Sequence, residues 1–164
     1  VRAPVTPELW AVHLSGECGL GIAPLRDDGT VRFGAIDIDV LMTDHTALEE
    51  AVDKAGLPLV VCRSKSGGAH CYLFLREAVP AAKVREFLSG WASALGHSGA
   101  EVFPRQNELA SLRDVGNWIS MPYFDHEGPT TRYAVIDGVI ATLEAFLNYA
   151  EAAAITEEDL IKIK

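Results

Sequence analysis

Apolar side chains recur along this chain with two different periods, and the switches between them divide it into short elements. From Pro80 onward, Val84, Phe87, Leu88, Trp91 and Leu95 fall on one face at helical spacing, and Gly96 ends the run. Thr6, Pro7 and Glu8 supply an N-cap, a first-turn proline and a first-turn acid for a helix to about Leu14. Thr43 or Asp44 can cap a helix through about Ala55, closed by Gly56 with Pro58 just beyond. Thr142 caps a later amphipathic helix that turns Leu143, Phe146, Leu147 and Ala150 inward. Between these, residues 20–25 and 31–40 read as two strands joined across the turn Asp27-Asp28-Gly29-Thr30. Residues 59–63 and 70–76 read as strands flanking the loop 64–69, with shorter strands at 101–103, 118–123, 132–136 and 139–140. Strand pairs with interspersed helices predict an α+β fold, its sheet covered on one face and open on the other.

At 164 residues, 49% of them hydrophobic, the chain can bury a core without disulfides or a metal staple. No run of eighteen apolar residues exists and no signal segment opens the chain, so the expectation is no membrane contact and a cytoplasmic location. Val1 in place of a methionine points to a piece of a longer product. Cys18, Cys62 and Cys71 cannot all pair and lack zinc spacing; they read as reduced, buried thiols. Fourteen basic residues against 23 acidic ones give a net charge of −9, which argues against a domain that grips duplex DNA by charge alone. Arg63, Lys65, Arg105 and Arg113 nevertheless lie mid-chain, and a basic cluster inside an acidic protein suits a small anionic ligand.

Four segments could carry chemistry. In Ala35-Ile36-Asp37-Ile38-Asp39-Val40, strand alternation places Asp37 and Asp39 on one face, about 7 Å apart along the strand, and turns Ile36, Ile38 and Val40 to the core. Paired carboxylates are tolerable where divalent cations sit between them; a solvated edge strand is the plainer explanation. In Arg63-Ser64-Lys65-Ser66-Gly67-Gly68-Ala69-His70, two glycines, two hydroxyls and two cations share one loop that can form an anion nest, though no Walker pattern is present. In Glu101-Val102-Phe103-Pro104-Arg105, Glu101 could complete a metal triad with Asp37 and Asp39, and Arg105 could reach a phosphate. Asn117, in Gly116-Asn117-Trp118, is a hydrogen bonder for a site rim or a turn former. His13, His45, His97 and His126 read as surface or capping residues, and Trp10, Trp91 and Trp118 as core.

Taken together, the aspartate pair, the Ser66-Gly67-Gly68-Ala69-His70 loop, Glu101-Val102-Phe103-Pro104 and the strand after Gly116-Asn117 resemble, in this order and spacing, the archaeo-eukaryotic primase superfamily. Within it they look most like the primase-polymerase modules of phages, plasmids, TOTE conflict systems and CRISPR-associated systems. The resemblance spans residues 10 to 150. It implies an RRM-like sheet fused to a second small α/β unit with the active site in the cleft between them. A catalytic domain would cover 1–155, and 156–164 would start a linker or helix toward a further C-terminal domain, such as a helicase or accessory module. It also implies a DNA primase or primer-extending DNA polymerase that joins nucleoside triphosphates to a 3′-hydroxyl on a single-stranded DNA template. Asp37, Asp39 and Glu101 would hold two Mg²⁺ or Mn²⁺ ions, and Arg63, Ser64, Lys65, Ser66, Gly67, His70, Arg105 and Asn117 would hold the nucleotide. Two features depart from the pattern: Gly68 stands where the family places a serine two before the histidine, and no zinc-binding insertion is present. Two other classes remain open at this point, a non-catalytic RRM-like module for single-stranded nucleic acid and a two-metal nuclease or phosphodiesterase. The first would need exposed aromatics such as Tyr72 and Phe74.

Overall fold

A computed structural model describes residues 3–111 and 113–163. In chain order the elements are α1 (Pro7–Leu14), β1 (Gly21–Ile22), β2 (Thr30–Ile38), α2 (His45–Lys54), β3 (Leu59–Arg63), β4 (Ala69–Pro80), α3 (Ala81–Ala94), β5 (Glu101–Phe103), β6 (Ile119–Ser120), β7 (Val135–Ile136), β8 (Val139–Ile140), α4 (Leu143–Ala153) and α5 (Glu157–Lys162). The fold is α+β. The helix starts follow the capping chemistry: the side chains of Thr6, Asp44, Thr142 and Thr156 each accept a backbone N–H of the first turn.

A four-stranded antiparallel sheet in the order β3-β4-β2-β5 forms the centre. Its connectivity, β2-α2-β3-β4-α3-β5, lays both helices on one face. There Ile36, Ile38, Val61, Cys71 and Leu73 meet Leu48, Val52, Val84 and Leu88 in one apolar cluster. Gly34 permits the close approach of α3, because a Cβ there would lie 2.8 Å from the Leu88 Cδ1 and from the Phe103 carbonyl oxygen. Helix α5 lies against the sheet through Leu160, which is fully buried.

The structure corrects several sequence expectations. Residues 20–25 do not form a hairpin with β2. The turn closes, Arg26 N–H donating to Thr30 O at 2.9 Å, but β2 is already flanked by β4 and β5, so β1 pairs with β6 instead. The second face of the sheet is not open along its length. Ala35, Val60, Cys62 and Tyr72 pack there against Ile119, Met121, Tyr123, Phe146 and Ala150, a second apolar cluster that closes over most of the face. Neither Leu147 nor Val40 turns inward: Leu147 is 55% exposed, and Val40, 50% exposed, lies past the end of β2 where strand alternation no longer holds. Cys18 is exposed rather than buried, and Trp118 is 63% exposed rather than core, its indole lying over Gly21 where a Cβ would approach to 2.3 Å.

Two buried polar groups tie the outer unit down. His13 is fully buried rather than at the surface: its Nδ1 accepts the Leu20 N–H at 2.9 Å, so Nε2 carries the proton and donates to Pro122 O at 2.7 Å. Burial holds this imidazole neutral, with its pKa below the ordinary range. Glu49 of α2, also buried, accepts the backbone N–H groups of Asp137 and Gly138 at the tip of the β7-β8 hairpin, where both residues have positive φ.

Candidate active site

Pairing register builds the site. Asp37 stands directly opposite His70 on β4 and directly opposite Glu101 on β5, so the three form one row across the sheet. Cys62 of β3 stands opposite His70 and continues the row. Residues paired in this way share a face, the one that carries Ala35 and Tyr72, with Cβ atoms about 5 Å apart. The second cluster covers this face beneath Ala35 and Tyr72 and takes in Cys62, but stops short of His70, Asp37 and Glu101. Asp39 follows just past the end of β2 and is exposed.

The charges in the row perturb one another. Burial, then the charges of Asp39 and Glu101, push Asp37 up to about 6. Burial pulls His70 down to about 4. Its Nε2 lies 3.5 Å from Asp37 Oδ1, but a ring held neutral makes this contact polar rather than ionic near neutral pH. The tautomer follows from the next bond. Tyr72 donates its hydroxyl proton to Ser120 O at 2.7 Å, so its oxygen accepts from His70 Nδ1 at 3.2 Å, and Nε2 faces Asp37 with its lone pair. Cys62 and Cys71 are buried with their thiols pushed well up, Cys71 to about 12, so neither is a nucleophile at neutral pH.

On the β3 side of the row, the β3-β4 loop lies flush against the end of β2. A Cβ on Gly68 would sit 2.3 Å from the Ile38 carbonyl oxygen, which is why a side chain cannot occupy this position. Gly67 takes φ +93°, favoured by glycine, and the Arg63 guanidinium passes beside it. The loop is closed by Ser64 N–H donating to Gly68 O at 2.9 Å, by the Ser64 and Ser66 hydroxyls 3.2 Å apart, and by His45 Nε2 at 2.8 Å from Gly68 O. Arg63, Ser64, Lys65, His70, Ser120 and Arg132 surround a cleft at this end that is too tight, as it stands, for a water molecule. Arg63 Nη1 is anchored on Thr131 O at 2.8 Å, while Lys65 is exposed. Arg132 was not singled out from the sequence. It stacks over Phe124 at 4.7 Å and reaches the cleft because the segment after Tyr123 folds back, a long-range placement with no local signature.

On the β5 side, Asp37, Asp39, Val40, His97, Ser98 and Glu101 border an open groove of about 520 Å³. Arg105 Nη2 holds Glu101 Oε1 at 2.7 Å. Asn117 bonds the Gln106 side chain and borders neither the cleft nor the groove. Among the described residues, no three His, Cys, Asp or Glu side chains stand close enough together to hold a metal ion as they are placed. The donor chemistry nevertheless fits a hard divalent cation: three carboxylates on one rim, the central one held up to about 6 partly by its acidic neighbours, is an arrangement that a cation relieves.

The family profile described as "TOTE conflict system, Archaeo-Eukaryotic Primase domain" matches residues 2–162. No curated protein matches the chain. No helix among the described residues is long and apolar enough to cross a membrane.

Proposed function

The chain belongs to the archaeo-eukaryotic primase domain family of TOTE conflict systems, and from that premise we propose that its site extends a DNA primer, or starts one, on a single-stranded template. The family supports a nucleotidyltransferase that acts on nucleotides and nucleic acid and depends on divalent metal. The observation that carries the finer reading is the row Glu101–Asp37–His70, with carboxylates at one end and a basic cleft at the other. The connectivity of the central sheet supports the RRM-like core that this reading includes.

Asp37, Asp39 and Glu101 would hold two Mg²⁺ or Mn²⁺ ions, which supply charge neutralisation for an attacking oxygen and a departing one. Arg63, Lys65 and Arg132, with the Ser64 and Ser66 hydroxyls and the backbone around Gly67, bind the triphosphate. His70, neutral while the cleft is empty, takes up a proton beside phosphate and donates it as a hydrogen bond from Nε2. The 3′-oxygen bonds to the α-phosphorus and the bond from that phosphorus to the bridging oxygen breaks. Pyrophosphate leaves with the electron pair, and the hydroxyl proton passes to water at the open rim. Arg105 positions the Glu101 carboxylate.

Neither rival class has comparable support. A stacking platform on the sheet would need Tyr72 and Phe74 free. Tyr72 is 1% exposed, and Phe74 lies against Phe146 with ring centroids 6.3 Å apart. A nuclease would have no need of the basic cleft. Incubation with primed and unprimed single strands, labelled nucleotides and Mg²⁺ or Mn²⁺ tests the proposal. Lengthened products support it; unchanged or shortened strands refute it.

A further inference from the structure

We propose that the groove beside Glu101 receives the 3′ end of the growing strand, and that the exposed turn Leu41-Met42 at its border packs against the terminal bases. This rests on the reading above and assigns the side from which the second substrate enters. Phosphoryl transfer requires the attacking and leaving oxygens roughly in line. If the triphosphate lies in the cleft beyond His70, the leaving oxygen points toward β3. The attacker must then arrive from the opposite side of Asp37, where Glu101 and the groove lie.

The border of that groove has an unusual surface. Val40, directly after Asp39, forms part of the groove wall. The chain then exposes Leu41 by 80% and Met42 by 95%, with Met42 in the left-handed region at φ +58°. Thr43 Oγ1 donates to Val40 O at 2.7 Å and closes the turn, so the two apolar side chains project from a shaped loop. Three consecutive exposed apolar residues beside a catalytic rim have no role in the core. The groove they border is lined by Asp37, Asp39 and Glu101 and by no lysine or arginine, so beyond the ions the acids would hold, the protein's own side chains offer a strand's phosphates no cationic grip here. The bases are the part of a nucleic acid that an apolar turn can bind, and Leu and Met are side chains that proteins wedge against base steps.

The test compares the double variant Leu41→Ser/Met42→Ser with Val139→Ser/Ile140→Ser. The control removes two consecutive apolar residues, each 63% exposed, that form strand β8 of the β7-β8 hairpin. Fluorescence anisotropy reads the affinity for a labelled primer-template, and primer extension gives separate KM values for primer and nucleotide. The expected result is affinity and primer KM about tenfold weaker for the first variant, with unchanged nucleotide KM and melting temperature and no effect in the control. Leu41→Ser alone, with a smaller loss in the same direction, covers the case of a misfolded double variant. An active wild type whose Leu41→Ser/Met42→Ser variant binds primer-template as the control does would overturn this assignment alone. A wild type that neither binds nor lengthens a primer would overturn the functional reading and this one with it.

Discussion

On one face of the central sheet, Ile36, Ile38, Val61, Cys71 and Leu73 pack under α2 and α3 with almost no surface left open. On the other, Phe33, Ala35 and Tyr72 give way along the same strands to Asp37, His70 and Glu101. The two faces share a backbone, so Asp37 has a core aliphatic, Ile36 or Ile38, on either side of it in sequence. That arrangement explains how the protein tolerates a crowded carboxylate. Burial of Ile36 and Ile38 contributes roughly 2 kcal/mol each and pins the register that holds Asp37 beside two other acids.

Substitutions can break this division of labour from either face. Asp37→Ala or Asp39→Ala should abolish nucleotide transfer, by at least about a thousandfold or roughly 4 kcal/mol of barrier, and leave the circular dichroism spectrum intact. An active variant would remove that carboxylate from the chemistry, and an unfolded one would show that the polar end also bears structure. Leu73→Ala, behind the site, should do the opposite. A cavity under α3 costs about 3 kcal/mol, lowers the melting temperature by roughly 6–12 °C, and spares the chemistry of the remaining folded molecules.

Gly68→Ala sits at the junction of the two faces. Its Cβ would meet the Ile38 carbonyl, so the loop must shift; nucleotide affinity should fall by about tenfold, with about 1–3 kcal/mol of stability lost. Wild-type affinity in a titration of this variant would mean that the loop does not shape the nucleotide site. The smallest effect sharpens the comparison most. The folded-state pKa of Asp37 is raised to about 6 from 3.8, so the charged carboxylate weakens the fold progressively between those values and fully above the upper one. Asp37→Asn in metal-free buffer should therefore stabilise the protein above pH 6 by about 1–2 kcal/mol, discounted for partial solvent screening, and the gain should vanish near pH 4. Melting curves across that range that show no gain would mean that neither burial nor the neighbouring Asp39 and Glu101 disfavours the charged Asp37 in the fold.

Much of the scaffold was legible locally. The caps at Thr6, Asp44 and Thr142, the apolar face of α3 and the alternation through Asp37 are short-range patterns, and each element forms near where those patterns place it. The errors share one cause. Whether Leu147, Trp118 or Cys18 is covered, and whether His13 is buried, depends on which distant segment packs against it. The hairpin expected between residues 20–25 and β2 failed for the same reason, because a local turn signal says nothing about strands that already occupy both edges of β2. Glu49 carried no signal at all: its role arises only because the β7-β8 hairpin returns over α2.

Alternation and turn chemistry, which act between residues a few positions apart, were enough to determine that Asp37 and Asp39 share a face and that residues 64–68 make a glycine-rich loop between strands. Only the tertiary structure decided that Glu101 stands opposite Asp37 and that Arg132 reaches the cleft at His70. Those meetings join segments far apart in the chain, and what selects them is the packing of whole sheets and helices, which no local stretch of residues encodes.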